Sequence, residues 1–202
     1  MLTLRTSPAT PFGRKISIAL DVVGLSDQVQ TAHADTLSAT DSLRQQNPLG
    51  KIPALLLDDG EAIFDSRVII EYLNERDGRH ILIPASGMER IRVLRHQAVA
   101  DGLMDASLLI VYEGRFRPAE QQVAKWLEHQ QGKIDRGLAY AESTLSAAHG
   151  GLPHIGEITQ ACALGYMDLR FGGTWRTVHP RLVAWLAHFA AKTPSFEATA
   201  PV

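Results

Sequence analysis

The sequence predicts an α/β domain followed by an all-helical domain. Strand and helix signals alternate through the first 78 residues, whereas strand signals disappear after residue 88. A stretch that contains Pro84 and Gly87 separates the two parts. We therefore expect an N-terminal domain over residues 1–78, a linker over 79–87 and a helical domain over 88–202. A chain of 202 residues is long enough to bury a core in each part.

In the N-terminal part, strand patterns alternate with amphipathic helix patterns. Strand signals cover residues 2–5, 29–32, 52–57 and 62–64, with the turn Asp58-Asp59-Gly60 between the last two. Apolar residues at helical spacing cover 11–23 and 66–75, and a short, weak helix covers 41–46. This β-α-β-α-β-β-α order is that of a thioredoxin-like domain with a mixed sheet.

The second part shows helix patterns alone. Apolar residues recur every three or four positions over 88–113, and again from Pro118 to about residue 148. Residues 155–171 are apolar nearly all round, which is typical of a helix buried in a core. His154 and Glu157 occupy the two positions of a capping box at its start. Pro180 begins a last helix.

Composition argues against several classes of protein. The net charge is −2 and neither half has a basic stripe, so we expect no nucleic-acid partner. No apolar run approaches the roughly 20 residues that cross a bilayer, and the first residues lack a signal-peptide pattern, so a cytoplasmic protein without a membrane partner is expected. The single cysteine, Cys162, excludes an internal disulfide and lies in an apolar helical run, where we expect a buried, inert thiol.

Two short motifs carry the functional signal. Residues 47–53, Asn-Pro-Leu-Gly-Lys-Ile-Pro, precede an apolar strand. A cis bond before Pro53 would turn the backbone of Ile52 toward a peptide-like ligand. Asp65 and Ser66 then begin a helix, where the acid favours an ammonium group and the serine with the free N–H groups favours an anion. Glutathione has both a peptide backbone and an amino-acid end.

These motifs resemble the glutathione-binding half of the cytosolic glutathione transferase family. Residues 7–20 are similar to the family's first strand-to-helix turn, 97–113 to its long fourth helix and 162–171 to its buried sixth helix. The resemblance implies a homodimeric detoxification enzyme that adds the glutathione thiolate to hydrophobic electrophiles, with no metal and no cofactor besides glutathione as co-substrate. A glutathione-dependent peroxidase, isomerase or dehalogenase, or a non-catalytic glutathione- or ligand-binding protein, remains an alternative.

Catalysis by this family requires a group that lowers the pKa of the glutathione thiol, because the thiolate is the nucleophile. Lowering the pKa by about two units takes roughly 2.7 kcal/mol, and a hydroxyl that donates to the charged sulfur supplies about 1.5–3 kcal/mol. By resemblance, Thr10 before Pro11-Phe12 is the candidate hydroxyl, and Ser7 is the alternative. A plain helix cap is the other interpretation of Thr10.

The resemblance also implies the residues of two binding sites. The glutathione site would contain Lys51, Ile52, Pro53, Asp65 and Ser66, with Asp101 reaching the glutathione of the partner subunit. Alternatively, Asp101 bonds Arg95 or Arg170. The second substrate would lie over Phe12, Met104, Leu108 and Tyr112, with Arg115 at the rim, although this spacing is also typical of a plain core. Such an apolar wall would favour a flat, hydrophobic electrophile.

Overall fold

A four-stranded mixed sheet forms the centre of the N-terminal domain in the computed structural model, which describes residues 1–145 and 151–201. The strands are β1 (Leu2–Thr6), β2 (Val29–His33), β3 (Ala54–Leu56) and β4 (Ala62–Ile63), in the order β2-β1-β3-β4. β1 runs parallel to β2 and antiparallel to β3, and β4 runs antiparallel to β3. The predicted mixed sheet is confirmed.

The helices of the described residues follow the predicted order. They are α1 (Pro11–Val22), α2 (Leu43–Gln46), α3 (Ser66–Asp77), α4 (Gly87–Phe116), α5 (Ala124–Ser143), α6 (Ile155–Phe171), α7 (Pro180–Lys192) and α8 (Pro194–Ala198). The fold is therefore a thioredoxin-like domain followed by a helical domain. Residues 78–86 form neither helix nor strand, and the limits of the two domains stay a prediction. Within 1–145 and 151–201, no helix has both the length and the apolar character needed to cross a membrane.

Two features of the helical domain differ from the prediction. Pro118 does not begin a long helix; it has extended backbone and precedes a 3-10 turn, Ala119–Gln121, so that α5 begins six residues later than predicted. The buried carboxylate of Glu113 accepts a hydrogen bond from the Val123 N–H at 3.2 Å and also pairs with Arg117, which fastens this turn to the end of α4. The short α8 was not predicted, and the predicted end of α5 near residue 148 lies outside the described residues.

One apolar core joins the two domains. It contains fully buried residues of the N-terminal domain and of the helical domain, among them Leu4, Ile16, Ile69, Ile158 and Leu164. The buried helix α6 packs against α1 as well as against α4. Since each fully buried aliphatic side chain contributes about 1.5–3 kcal/mol, this shared core holds α6 firmly against the beginning of α1.

The predicted capping box at the start of α6 is present. The backbone N–H of Glu157 donates to Nδ1 of His154 at 3.3 Å, and the backbone N–H of His154 donates to the Glu157 carboxylate at 3.1 Å. Nδ1 can accept this bond only while it carries no proton. The neighbouring ring of His96 packs edge-on at 5.5 Å and bonds the Gln160 amide oxygen at 2.8 Å. Burial lowers the pKa of His96, which keeps this ring neutral beside the cap.

Candidate active site

The loop before β3 has the predicted backbone. The Ile52–Pro53 peptide bond is cis, as predicted, and Pro53 is buried directly before the strand. Asn47 organises the loop: its side-chain amide donates to the Lys51 carbonyl at 2.8 Å, and its side-chain oxygen accepts from the Leu49 N–H at 3.0 Å. Sequence reasoning missed this role of Asn47. Its two bonds fix the residues on either side of Gly50, so Lys51 and Ile52 lie in a prearranged segment.

The acid–serine motif lies at the start of α3. Asp65 is the N-cap of this helix, and its carboxylate accepts from the Arg67 N–H at 2.9 Å. Its side chain is nevertheless exposed, whereas Ser66 retains only 4% of its accessible surface. The peptide bond between Phe64 and Asp65 is also cis. A carboxylate and a hydroxyl thus lie together at the positive end of a helix, where both an ammonium and a carboxylate can bind.

A buried ion cluster lies next to this motif. One carboxylate oxygen of Asp101 accepts from Lys15 Nζ at 2.7 Å, and the other accepts from Arg67 Nε at 2.8 Å. Lys15 and Asp101 are both fully buried, and the three residues link α1, α3 and α4. The partner of Asp101 is therefore neither Arg95 nor Arg170. Both of its oxygens are engaged within the chain, so this geometry does not support an approach of Asp101 to the partner subunit's glutathione.

Asp105 lies one turn after Asp101 on α4, close to the same charges. Partial burial, together with the negative charge of Asp101, raises the pKa of Asp105. The positive charges of Arg67, Lys51 and Lys15 oppose that rise, so all three cations lie near the Asp105 carboxylate. Lys51 is exposed, as a residue that binds a carboxylate at the edge of a cleft would be. Sequence reasoning missed Lys15, Arg67 and Asp105, although all three lie within or directly beside segments that resemble the family.

The two candidate hydroxyls face different spaces. Thr10 is the N-cap residue of α1, but its side chain makes no capping hydrogen bond, so the plain capping role is wrong. Thr10 lines a crevice together with Cys162, Tyr166 and Pro201. Ser7 instead lines a cavity of about 230 Å³ that is bordered by residues of β2 and by Thr199. Of these two residues, Thr10 is the one that lies at the helix start with a hydroxyl that the helix does not use.

Gly13 allows the close packing behind Thr10. A Cβ atom at this position would lie 1.9 Å from Thr6 Oγ1 and 2.8 Å from Thr10 Cγ2. Any larger residue would push the end of β1 or the Thr10 side chain away from α1. Gly13 therefore helps to set the position of the Thr10 hydroxyl, a role that the sequence pattern did not indicate.

The thiol beside Thr10 has no nucleophilic character. Cys162 is fully buried, and this burial raises the pKa of its thiol to about 12. The positive charges of Arg14 and Lys15 only partly oppose this effect. Since the thiolate is the reactive form, Cys162 stays protonated near neutral pH. The predicted buried, inert thiol is confirmed.

The expected apolar wall is a mixture of core, aromatic and cationic residues. Met104 is fully buried within the core, which is the plain core role that its spacing also allowed. Phe12, Leu108 and Tyr112 are partly exposed. Tyr112 packs edge-on against Phe116, and its ring lies 5.4 Å from the guanidinium of Arg115. The residues of the expected wall thus do not share one environment: Met104 is core, and the other three are partly exposed.

Comparison with known proteins agrees with this architecture. Family models for the N-terminal and C-terminal domains of glutathione S-transferases match residues 9–76 and 124–188. The uncharacterized GST-like protein YibF of Escherichia coli is 34% identical to this chain, over 96% of both proteins. The chain belongs to the glutathione transferase family. Another relative is maleylacetoacetate isomerase of Pseudomonas aeruginosa. It is 32% identical to this glutathione transferase family member, over 77% of this chain and 73% of the isomerase.

Solved structures of this glutathione transferase family include close matches. A family member from Pseudomonas fluorescens Pf-5 with bound glutathione is 42% identical, with a TM-score of 0.92 and full coverage of both chains. A structure of a Pseudomonas fluorescens Pf-5 family member with bound S-(propanoic acid)-glutathione is 41% identical, with a TM-score of 0.88 and the same coverage. The fold is therefore that of proteins in which glutathione has been observed.

Proposed function

We propose that this protein adds the thiolate of glutathione to an electrophilic carbon of a second substrate. The observation that carries the proposal is the Thr10 hydroxyl, which lies at the N-terminus of α1 and is not used as a helix cap. Donation from this hydroxyl stabilises the thiolate by about 1.5–3 kcal/mol. The helix N-terminus contributes about 0.3–1 kcal/mol more. Ser7 is the second choice, because it lies three residues before the N-cap position that Thr10 occupies.

The glutathione site of this proposal is built from the loop before β3 and the start of α3. The backbone of Ile52, with Pro53 behind it, bonds the cysteinyl unit of glutathione. Asp65 binds the γ-glutamyl ammonium, Ser66 binds the γ-glutamyl carboxylate and Lys51 pairs with the glycyl carboxylate. The bound glutathione in the Pseudomonas fluorescens structure supports glutathione as the ligand of this fold. Asp101 contributes only through Arg67, which it holds next to Ser66.

The chemistry of the proposed reaction is nucleophilic substitution or addition, so glutathione is the co-substrate and no other cofactor or metal takes part. We place it in the cytoplasm, as a detoxification reaction of hydrophobic electrophiles. The S-(propanoic acid)-glutathione bound to the relative is a thioether of glutathione, which supports a site that accepts an S-substituent. The second candidate is an isomerase, which the similarity to maleylacetoacetate isomerase favours. An isomerase would add and then release the same thiolate.

Turnover of 1-chloro-2,4-dinitrobenzene with glutathione tests this function. We expect formation of the thioether and loss of one glutathione for each chloride released, at a rate above that of the buffer reaction. An isomerase would instead convert its substrate without net loss of glutathione. Binding of glutathione in calorimetry with no turnover of this or any related electrophile would contradict the transferase proposal and support a binding protein.

The γ-glutamyl assignment predicts a loss of glutathione affinity in Asp65→Asn and in Ser66→Ala. Asparagine retains an oxygen that caps α3, so folding is preserved while the charge is removed. A hydrogen bond to a charged group contributes about 1.5–3 kcal/mol, which predicts a roughly 10- to 100-fold weaker Kd in isothermal calorimetry. Asp59→Asn is the matched control, because Asp59 also accepts from the N–H two residues later, at 3.0 Å, but lies in the β3–β4 turn. Equal affinity of all variants would refute the assignment.

We also propose that the protein is a two-fold homodimer, the commonest closed assembly. Exposed apolar residues on α3 and α4, namely Val68, Met88, Ile91 and Leu109, support a contact between these helices of two copies. Light scattering at micromolar concentration should give a particle of about 44 kDa, twice the 22.1 kDa of one chain. A particle of one chain's mass would refute the dimer.

A further inference from the structure

Two arginines and two tyrosines form a cluster beside Thr10. The guanidinium of Arg115 lies 5.4 Å from the ring centre of Tyr112, three residues earlier on α4. The guanidinium of Arg170 lies 5.5 Å from the ring centre of Tyr166, four residues earlier on α6. Residues at these spacings share one face of a helix. We call these four residues the arginine–tyrosine cluster.

The cluster is continuous with the crevice that contains Thr10. Tyr166 is buried and lines that crevice. Burial raises the pKa of the Tyr166 hydroxyl, and the Arg170 guanidinium opposes this rise, with a smaller contribution from Arg115. The negative charge of a deprotonated Tyr112 would also raise the pKa of the Tyr166 hydroxyl. Tyr166 therefore connects the cluster to the crevice: its side chain lines the crevice with Thr10, and the Arg170 guanidinium lies 5.5 Å from the centre of its ring.

Neither arginine of the cluster has an acidic partner among residues 1–145 and 151–201. On α4, Arg90 pairs with Glu71 and Arg92 with Glu89, whereas Arg95, like Arg115, makes no ion pair with the residues that the structure describes. Asp168, two residues before Arg170 on α6, bonds Arg176 instead. In addition, Arg170 Nε is buried and has no hydrogen-bond partner. A buried guanidinium N–H without an acceptor costs free energy, and a bound anion would remove that cost.

We propose that Arg115 and Arg170 bind a carboxylate group of the second substrate, and that this substrate is an α,β-unsaturated carboxylic acid. The inference rests on the proposed transfer of the glutathione thiolate. A planar guanidinium fits a carboxylate with two parallel hydrogen bonds, which is why a carboxylate is the chosen anion. The apolar surfaces of Phe12 and Leu108 then cover the carbon chain. The proposed electrophile is thus anionic at one end. This changes the prediction from the sequence, which was a flat, hydrophobic electrophile.

The reaction with such an acid balances without any further reactant. The thiol proton first leaves to solvent, and the thiolate sulfur forms a bond to the β carbon. The π electrons of the carbon–carbon double bond move to the α carbon and its carboxylate, and the α carbon then takes a proton from solvent. The negative charge on the carboxylate end grows during the first step. Positive charges held there stabilise the transition state more than the free substrate.

A pair of glutathione thioethers measures the anion site without any turnover. S-(2-carboxyethyl)glutathione and S-propylglutathione have nearly the same shape and differ in the carboxylate. In isothermal calorimetry, we expect the carboxylate compound to bind the wild-type protein about tenfold more tightly. Arg170→Met should remove that preference and leave the affinity for S-propylglutathione within about twofold. Arg170→Lys retains the positive charge but not the planar guanidinium that makes two parallel hydrogen bonds. This variant should therefore keep part of the preference for the carboxylate compound.

Arg181→Met is the matched control, because Arg181 is an exposed arginine on α7 whose guanidinium makes no ion pair with the described residues; its backbone N–H, which donates to Glu142, is unchanged by the substitution. This control should keep the full preference, and far-ultraviolet circular dichroism should show that each variant is folded. Equal binding of the two thioethers to the wild-type protein would overturn the proposal. So would a preference that Arg115→Met, Arg170→Met and Arg170→Lys all leave unchanged.

Kinetics separate this inference from the proposed function. The wild-type protein should consume acrylate with glutathione, and Arg170→Met should lower kcat/KM for acrylate at least tenfold relative to kcat/KM for methyl acrylate. Turnover of 1-chloro-2,4-dinitrobenzene without a carboxylate preference in binding or rate would refute the anion site and leave the transferase function intact. A carboxylate preference in binding without any turnover would support the anion site and refute the transferase function.

Discussion

Replacing Thr10 with valine should raise the pKa of enzyme-bound glutathione by roughly one to two units and slow turnover at neutral pH roughly ten- to hundredfold. Valine keeps the shape of threonine and removes the hydroxyl donor. Because this hydroxyl makes no capping bond to α1, its loss should leave the stability of the helix nearly unchanged. Affinity for glutathione should also change little, since Ile52, Asp65 and Ser66 hold the rest of the tripeptide.

The sign of the pH dependence follows from the direction of the shift. Below its pKa, the fraction of bound glutathione that is thiolate falls tenfold for each unit by which the pKa rises. Turnover by Thr10→Val should therefore recover as the pH rises through the new pKa, and Thr10→Ser should retain the low pKa of the wild-type complex. Titration of the thiolate's ultraviolet absorbance in each protein measures the shift directly.

Ser7→Ala is the control for the alternative hydroxyl. If the Ser7→Ala titration shifts and the Thr10→Val titration does not, Ser7 is the catalytic hydroxyl and the Thr10 assignment is refuted. If neither titration shifts, backbone N–H groups at the start of α1 hold the sulfur. That second outcome would weaken the case for a transferase and strengthen the case for a binding protein.

Replacing Asp101 with alanine should lower the free energy of unfolding by about 3–5 kcal/mol, because the variant leaves a buried charge without its partner. Lys15 has no accessible surface, and its ammonium donates to Asp101 at 2.7 Å. The loss of Asp101 costs less free energy at Arg67, because more than half of the Arg67 side chain is exposed and water can replace the lost carboxylate. Urea unfolding followed by circular dichroism measures the change.

Asp105→Ala is the matched control for this prediction. Asp105 is an acid on the same helix, one turn later, but it is far more accessible than Asp101 and makes no ion pair in the described structure. Its replacement should change the unfolding free energy by less than about 1 kcal/mol. The double variant Lys15→Met, Asp101→Leu should regain most of the stability, because it replaces the buried pair with apolar side chains of similar volume. Equal stability of Asp101→Ala and the wild-type protein would contradict the structural role of the pair.

Features encoded in neighbouring residues were predictable from the sequence. The cis bond before Pro53, the capping box of His154 and Glu157 and the apolar surroundings of Cys162 each depend on a few contiguous positions. The alternation of strands and helices also depends on local periodicity, so the fold class followed from it. These local signals were sufficient to indicate the family and the two parts of the glutathione site.

Features that depend on how the helices rotate and pack were decided only by the tertiary structure. Asp101 meets Lys15 and Arg67, which lie 86 and 34 positions away, and no local pattern identifies such partners. Met104 is buried in the core and Tyr112 is partly exposed, although both have the same helical spacing. A periodic pattern defines which residues share a face, but the element packed against that face decides whether it is core or site. For this reason the acidic partner of Lys15 and the position of Tyr166 in the crevice with Thr10 emerge only from the packing of α4 and α6 against α1.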